Sequence, residues 1–173
     1  DVVSSALDFI LPFEKYKITA GAKVSFTNTR NGINYDTSDP TLVQDDYFRY
    51  KEQIYALYAD YSREFSERFS MQLGLRMEHT RTTGISEAKD TEDKHDYTRL
   101  FPTVYLLYSP THGHALNFSF SNRISRPSQN MVNPFPFYQN KYTYACGRED
   151  LKPSYTYNVE LGYTLKNNFN VSA

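Results

Sequence analysis

Along residues 154–166 every second side chain is apolar. Tyr155, Tyr157, Val159, Leu161, Tyr163 and Leu165 form one row; Ser154, Thr156, Asn158, Glu160, Gly162, Thr164 and Lys166 form the other. A period of two marks an extended strand with one face in an apolar medium and one in a polar medium. Residues 16–27 repeat it with Tyr16, Ile18, Ala20, Ala22, Val24 and Phe26 in one row. So do residues 69–78, with Phe69, Met71, Leu73, Leu75 and Met77, and residues 115–124, with Leu116, Phe118, Phe120 and Ile124. Segments 3–11, 48–63 and 99–109 carry the pattern less cleanly, and Phe169–Ala173 opens another strand. The expected fold is all-β, an antiparallel up-and-down meander of about seven or eight strands.

The connections alternate between short and long. Short ones fall at Pro12–Lys15, Phe65–Glu67, Thr111–Gly113 and Asn167–Asn168, and long ones at 28–46, 84–97 and 128–153. Outer-membrane barrels have this rhythm, with short periplasmic turns and long extracellular loops. A sandwich with Greek-key connections is not expected to keep it. Hairpin register gives a second check, because directly opposed residues share a face. The turn lengths at Pro12–Lys15, Phe65–Glu67 and Thr111–Gly113 each leave the apolar rows of their two strands on the same side. Several strands exceed the roughly 9–11 residues that cross a bilayer, so the stretch from Tyr47 to Arg63 is expected to project beyond it.

Composition fits this reading once both faces are counted. Mean hydropathy is −0.65, and no window approaches the roughly 18 apolar residues of a membrane-spanning helix. Yet the chain holds 16 Tyr and 12 Phe among 173 residues, more rings than so polar a chain needs for a core. Strands that alternate lipid-facing and lumen-facing residues, with aromatic girdles at the rims, have a use for them. A formal net charge of −1 gives no nucleic-acid footprint. The single cysteine, Cys146, excludes a disulfide within the chain. The first residues carry no basic and apolar signal segment.

Several segments in order carry a family resemblance. Arg99-Leu100-Phe101-Pro102-Thr103 opens a strand, and Arg123-Ile124-Ser125-Arg126-Pro127-Ser128 closes the next. Asn133-Pro134-Phe135 follows, then Gly147-Arg148-Glu149-Asp150-Leu151-Lys152-Pro153, then Asn158-Val159-Glu160-Leu161-Gly162-Tyr163. Upstream, Glu52-Gln53-Ile54-Tyr55-Ala56-Leu57-Tyr58 adds a further strand. Together these resemble the barrel of TonB-dependent receptors, in particular an outer-membrane β-barrel family of Bacteroidetes-type bacteria. The sequence departs from that family at Arg148, where Asn usually follows the loop glycine. It also stops without the terminal aromatic strand, so residues 1–173 are expected to be a partial barrel domain without plug or signal peptide. The resemblance implies the outer membrane of a Gram-negative bacterium and energised uptake of a nutrient such as a siderophore, glycan or peptide. It implies outer-membrane lipid, a plug domain and the TonB complex as partners. The alternatives are a non-transport barrel (adhesin or porin-like) and a soluble β-sandwich that binds carbohydrate.

Candidate sites follow from chemistry. Arg123 and Glu160 lie on polar rows of facing strands, and pairing them satisfies the parity of their hairpin, so they are expected to form an ion pair in the lumen wall. The loop Gln129–Lys152 offers Tyr138, Tyr142, Tyr144 and Arg148 as ligand contacts, since rings and a guanidinium grip small molecules. Its prolines (Pro127, Pro134, Pro136 and Pro153) keep the segment extended. Asp36, Asp39, Asp45 and Asp46 lack the glycine and terminal Glu of a calcium loop and read as a solvated loop. His112 and His114 share a tight turn without further ligands nearby. No catalytic, nucleotide or zinc signature appears, so neither an enzyme nor a cofactor is expected.

Overall fold

The computed structural model describes residues 1–33, 46–86, 91–133, 136–140, 142–148, 150–166 and 169–173. The strands are β1 (Val2–Pro12), β2 (Tyr16–Ile33), β3 (Asp46–Ser66), β4 (Phe69–Ser86), β5 (Thr91–Tyr108) and β6 (His114–Ser125). A one-turn helix α1 (Gln129–Val132) and the short strands β7 (Phe137–Asn140) and β8 (Thr143–Ala145) follow, then β9 (Ser154–Leu165) and β10 (Phe169–Ser172). The main sheet has eight antiparallel strands in the order β1-β2-β3-β4-β5-β6-β9-β10, and β7 and β8 pair in a separate hairpin. The expected all-β meander of seven or eight strands is therefore present.

The apolar rows meet across the sheet as parity requires. Leu57 faces Met77, Leu75 faces Ala59, Leu73 faces Val104, Leu106 faces Phe118, and Phe120 faces Val159. At the β3–β4 hairpin the means differs from the expected three-residue turn. Glu67 and Arg68 make a two-residue turn, and a register shift between Glu64 and Ser66 inserts one residue. Such a bulge keeps the faces in phase above it. The turn expected at Asn167–Asn168 lies outside the described residues.

Burial is inverted relative to a water-soluble sheet. On the apolar row Leu57 is 56% exposed, Leu75 51% and Leu161 57%, whereas Glu78 and Thr80 on the polar row are 5% and 0% exposed. Phe48, Ala56 and Phe101 are buried on that same inner side. Rings bound the apolar face at both ends. Near the short turns Phe13 stacks on Tyr16 at 4.4 Å, Tyr16 meets Tyr61 at 5.9 Å, and Phe65 meets Phe69 at 5.3 Å. At the other end Phe26, Tyr55 and His79 form a row, with centroids 6.0 and 6.3 Å apart. Tyr16 and Phe26, Phe65 and Tyr55, and Phe69 and His79 are each ten residues apart.

Two of the long connections are shorter than expected. β2 continues to Ile33 and β3 begins at Asp46, while β4 runs to Ser86 and β5 begins at Thr91. Residues such as Thr91-Glu92-Asp93-Lys94-His95-Asp96 alternate without an apolar row, because both faces there are polar. Ladder pairing rather than hydrophobic period holds them as strands. Asp36, Asp39 and Asp45 lie outside the described residues.

Candidate functional site

The wall changes character at Pro102. β5 pairs with β4 along its whole length, Thr91 to Tyr108, but with β6 only from Thr103 to Tyr108. Proline has no N–H to give a ladder, and the β5–β6 pairing stops one residue after it. Above that point, among the described residues, β5 has a ladder partner on one side only. The gap is bridged by side chains: the Arg99 guanidinium lies over the Tyr155 ring at 5.0 Å.

Arg126, one residue past β6, turns inward. Its Nη2 donates to Glu78 Oε2 at 2.6 Å and to Thr80 Oγ1 at 3.0 Å on β4, two strands away. Its Nε lies 3.8 Å from Glu52 Oε2 on β3. Tyr97 on β5 also hydrogen-bonds with Arg126 and Thr80. Arg76 grips the second oxygen of Glu78, so that buried carboxylate sits between two guanidinium groups. A buried charge is tolerable when paired and hydrogen-bonded in this way. The tyrosine hydroxyl of Tyr50 reaches Glu52 Oε2 at 3.4 Å.

Behind this anchor the β6–β9 connection folds over the inner face. Val132 of α1 packs on Phe48 of β3, with Tyr50 and Leu151 beside them. Gly147 donates its N–H to Asn133 O at 2.8 Å, and Arg148 N donates to Met131 O at 2.7 Å, closing the loop's base. A Cβ at Gly147 would collide with these backbone oxygens. The loop base and the upper ends of β3, β4 and β5 enclose a cavity of about 440 Å³. Tyr50, Tyr97 and Tyr155 give it rings, and Lys94, Arg99, Arg126 and Lys152 give it positive charge; Glu52, Asp93 and Asp96 oppose them.

The expected site residues fall elsewhere. Tyr142, 96% exposed, and Tyr144, 59% exposed, sit on the β7–β8 hairpin away from the cavity lining. Tyr138 is opposite Tyr144 in that hairpin, and its side chain lies outside the described residues. Arg148 forks onto Asp150 at 3.0 and 2.7 Å, and that hydrogen-bonded pair holds the Asp150 carboxyl below the usual carboxylate range. Arg123 faces Thr156 and Glu160 faces Ser119, so the proposed cross-strand pair is replaced by a register four residues away. Parity had fixed the face but not the offset, which the loop sets. His114 Nδ1 instead meets the Tyr163 hydroxyl at 2.6 Å.

The contact between Arg126 and Glu78 is not legible in the sequence, since it spans two strands and 48 residues. The signals in the sequence are Arg126's place at the end of an outgoing strand and its inclusion in the resemblance segment Arg123-Ile124-Ser125-Arg126-Pro127-Ser128.

Residues 1–173 match the outer membrane protein beta-barrel family over their full length. The chain belongs to that family. It is accordingly a protein of the Gram-negative outer membrane. Solved structures agree in fold. The ferric-catecholate import receptor Fiu from K12 E. coli superposes with a TM-score of 0.69 at 12% identity, over 94% of this chain and 28% of that one. FpvAI, solved in complex with pyocin S2, gives 0.60 at 17% identity, over 99% and 23%. The ferric citrate transporter FecA, in its unliganded form, gives 0.58 at 12% identity, over 96% and 25%. The barrel segment thus spans about a quarter of the length of each of these proteins, and its resemblance to receptor barrels holds at the level of fold. No curated protein sequence matches it.

Proposed function

We propose that this chain is part of the wall and outer mouth of a receptor that actively takes up a small nutrient. The carrying observation is the cavity of about 440 Å³ on the inner face, at the long-connection end, anchored to the wall through Arg126. A receptor needs a binding surface there, rigidly joined to the strands that carry it. A plug domain and the TonB complex would act on the barrel from within and below, and the ligand class includes siderophores, glycans and peptides. Tyr138, Tyr142 and Tyr144 on the β7–β8 hairpin, with Arg148 at the loop's base, would make the first contact before ligand settles into the cavity.

The apolar row would meet lipid. Ten residues of strand span about 33 Å, and at a tilt of 35–45° that is about 25 Å of height, the size of the apolar band in such barrels. The ring rows would then sit at the two interfaces. Uptake of labelled nutrient into whole cells tests the reading. It should vanish on deletion of the gene and on collapse of the proton-motive force. Entry that survives an uncoupler would make the protein a passive pore.

A further inference from the structure

We propose that the outer stretch of β5 captures a short extended peptide as an added strand, with a peptide carboxylate on Arg99. This rests on the uptake reading and names its substrate class. Among the described residues, 91–102 have β4 on one side and no ladder partner on the other. Among the described residues, no backbone bond outside the ladders reaches 92–101. Along this edge, every second N–H and C=O thus has no backbone partner among the described residues and can pair with an incoming chain.

The cavity lies along this edge. A pocket above a sheet face touches alternate residues of a strand, but this one is lined by five consecutive residues, Asp93 to Tyr97, and then Arg99. Across from them stand Pro127 and Pro153, which have no N–H to donate and leave the edge to another partner. The edge from Asp93 to Arg99 matches the length of a peptide of about five to seven residues at 3.3–3.4 Å each.

Charge selects among peptides. Glu52 lies beside Arg126, Asp93 is 3.0 Å from His95 Nε2, and Asp96 is 2.8 Å from Arg81. Arg99 has no ion pair among the described residues and is steadied by the Tyr155 ring. With Lys94 held by Glu92 at 2.9 Å, the lining is left with Lys152 and the oriented Arg99 guanidinium, which favour a carboxylate. One face of the Tyr155 ring is covered by Arg99 and is closed to a sugar.

The test uses the full-length receptor in detergent and a fluorescent hexapeptide of alternating alanine and glutamate, read by anisotropy. Two further versions carry N-methyl groups at odd or at even residues, since an added strand uses alternate N–H groups on one edge. One version should lose at least tenfold in affinity and the other should bind like the parent. Arg99→Gln should weaken the glutamate peptide at least fivefold and leave its glutamine counterpart nearly unchanged. Equal behaviour of the two N-methylated versions overturns the proposal, as does binding of a hexasaccharide with no binding of the parent peptide. If energised uptake of another compound persists while no peptide binds, the peptide class falls and the receptor reading stands. Import insensitive to an uncoupler removes the receptor reading whatever the peptides do.

Discussion

Arg126 Nη2 donates to Glu78 Oε2 at 2.6 Å across an intervening strand, tying the end of β6 to β4 on the inner face. The side chains are 20% and 6% exposed, so the pair is largely shielded from solvent. Replacing Arg126 with alanine leaves Glu78 with Arg76 alone and Thr80 without its donor. Breaking a buried pair costs about 3–5 kcal/mol, and the retained Arg76 contact should reduce that to about 1–3 kcal/mol. Urea unfolding in lipid vesicles measures it. In a double-mutant cycle with Glu78→Gln, a coupling indistinguishable from zero would mean that the contact contributes no stability.

Leu73 and Leu75 flank the midpoint between the Phe69 and His79 rings. Leu73→Arg should therefore cost about 2–4 kcal/mol, the range for a lipid-facing midplane charge. Gln72→Arg, pointing the other way, should stay within about 1 kcal/mol. Spin labels along 69–78 should report lipid at odd positions only; equal contact at both parities would refute the assignment.

Gly147→Ala should open the loop without unfolding the barrel, because the added methyl group meets Met131 O and Asn133 O at the loop's base. Faster amide exchange at Gly147 and Arg148, with unchanged exchange in β4 and β5, is the expected pattern. Protection equal to the wild type would show that the base tolerates a side chain.

Replacing both Tyr142 and Arg148 with alanine should leave barrel stability within about 0.5 kcal/mol, as for exposed positions away from packed features. A capture role predicts a loss of ligand affinity of about 1–3 kcal/mol in total. Heat modifiability on gels and binding to folded receptor separate the two effects. A destabilised barrel with unchanged affinity would reassign these residues to packing.

Strands with one lipid-like face were legible from sequence because a row such as Phe69 to Met77 repeats without a break, and turn parity then fixed which rows coincide. The upper strand segments were not legible. Thr91–Arg99 has water-like surroundings on both faces, so its alternation leaves no hydropathy trace. Offsets were equally hidden, as Arg123 and Glu160 illustrate, because parity admits every second register. The site was only half visible: the proline-rich loop stood out, but the contacts at its base, through Arg126, Val132 and Leu151, did not. That base is defined by contacts with Phe48, Glu52 and Glu78, which no local pattern announces.

With the apolar row in lipid as proposed, the ten-residue ring-to-ring interval on β2, β3 and β4 would make the molecule a gauge of bilayer thickness. Three strands with the same ten-residue interval cannot each adjust separately, so a membrane thicker than the band penalises all of them together. Each ångström of mismatch costs a fraction of a kcal/mol, and the outer membrane is thinner than average. The aromatic spacing would then act as an address: a thicker bilayer would force tilt, local thinning or exposure of the ring rows, and the same chain would be at home only where the hydrocarbon is short.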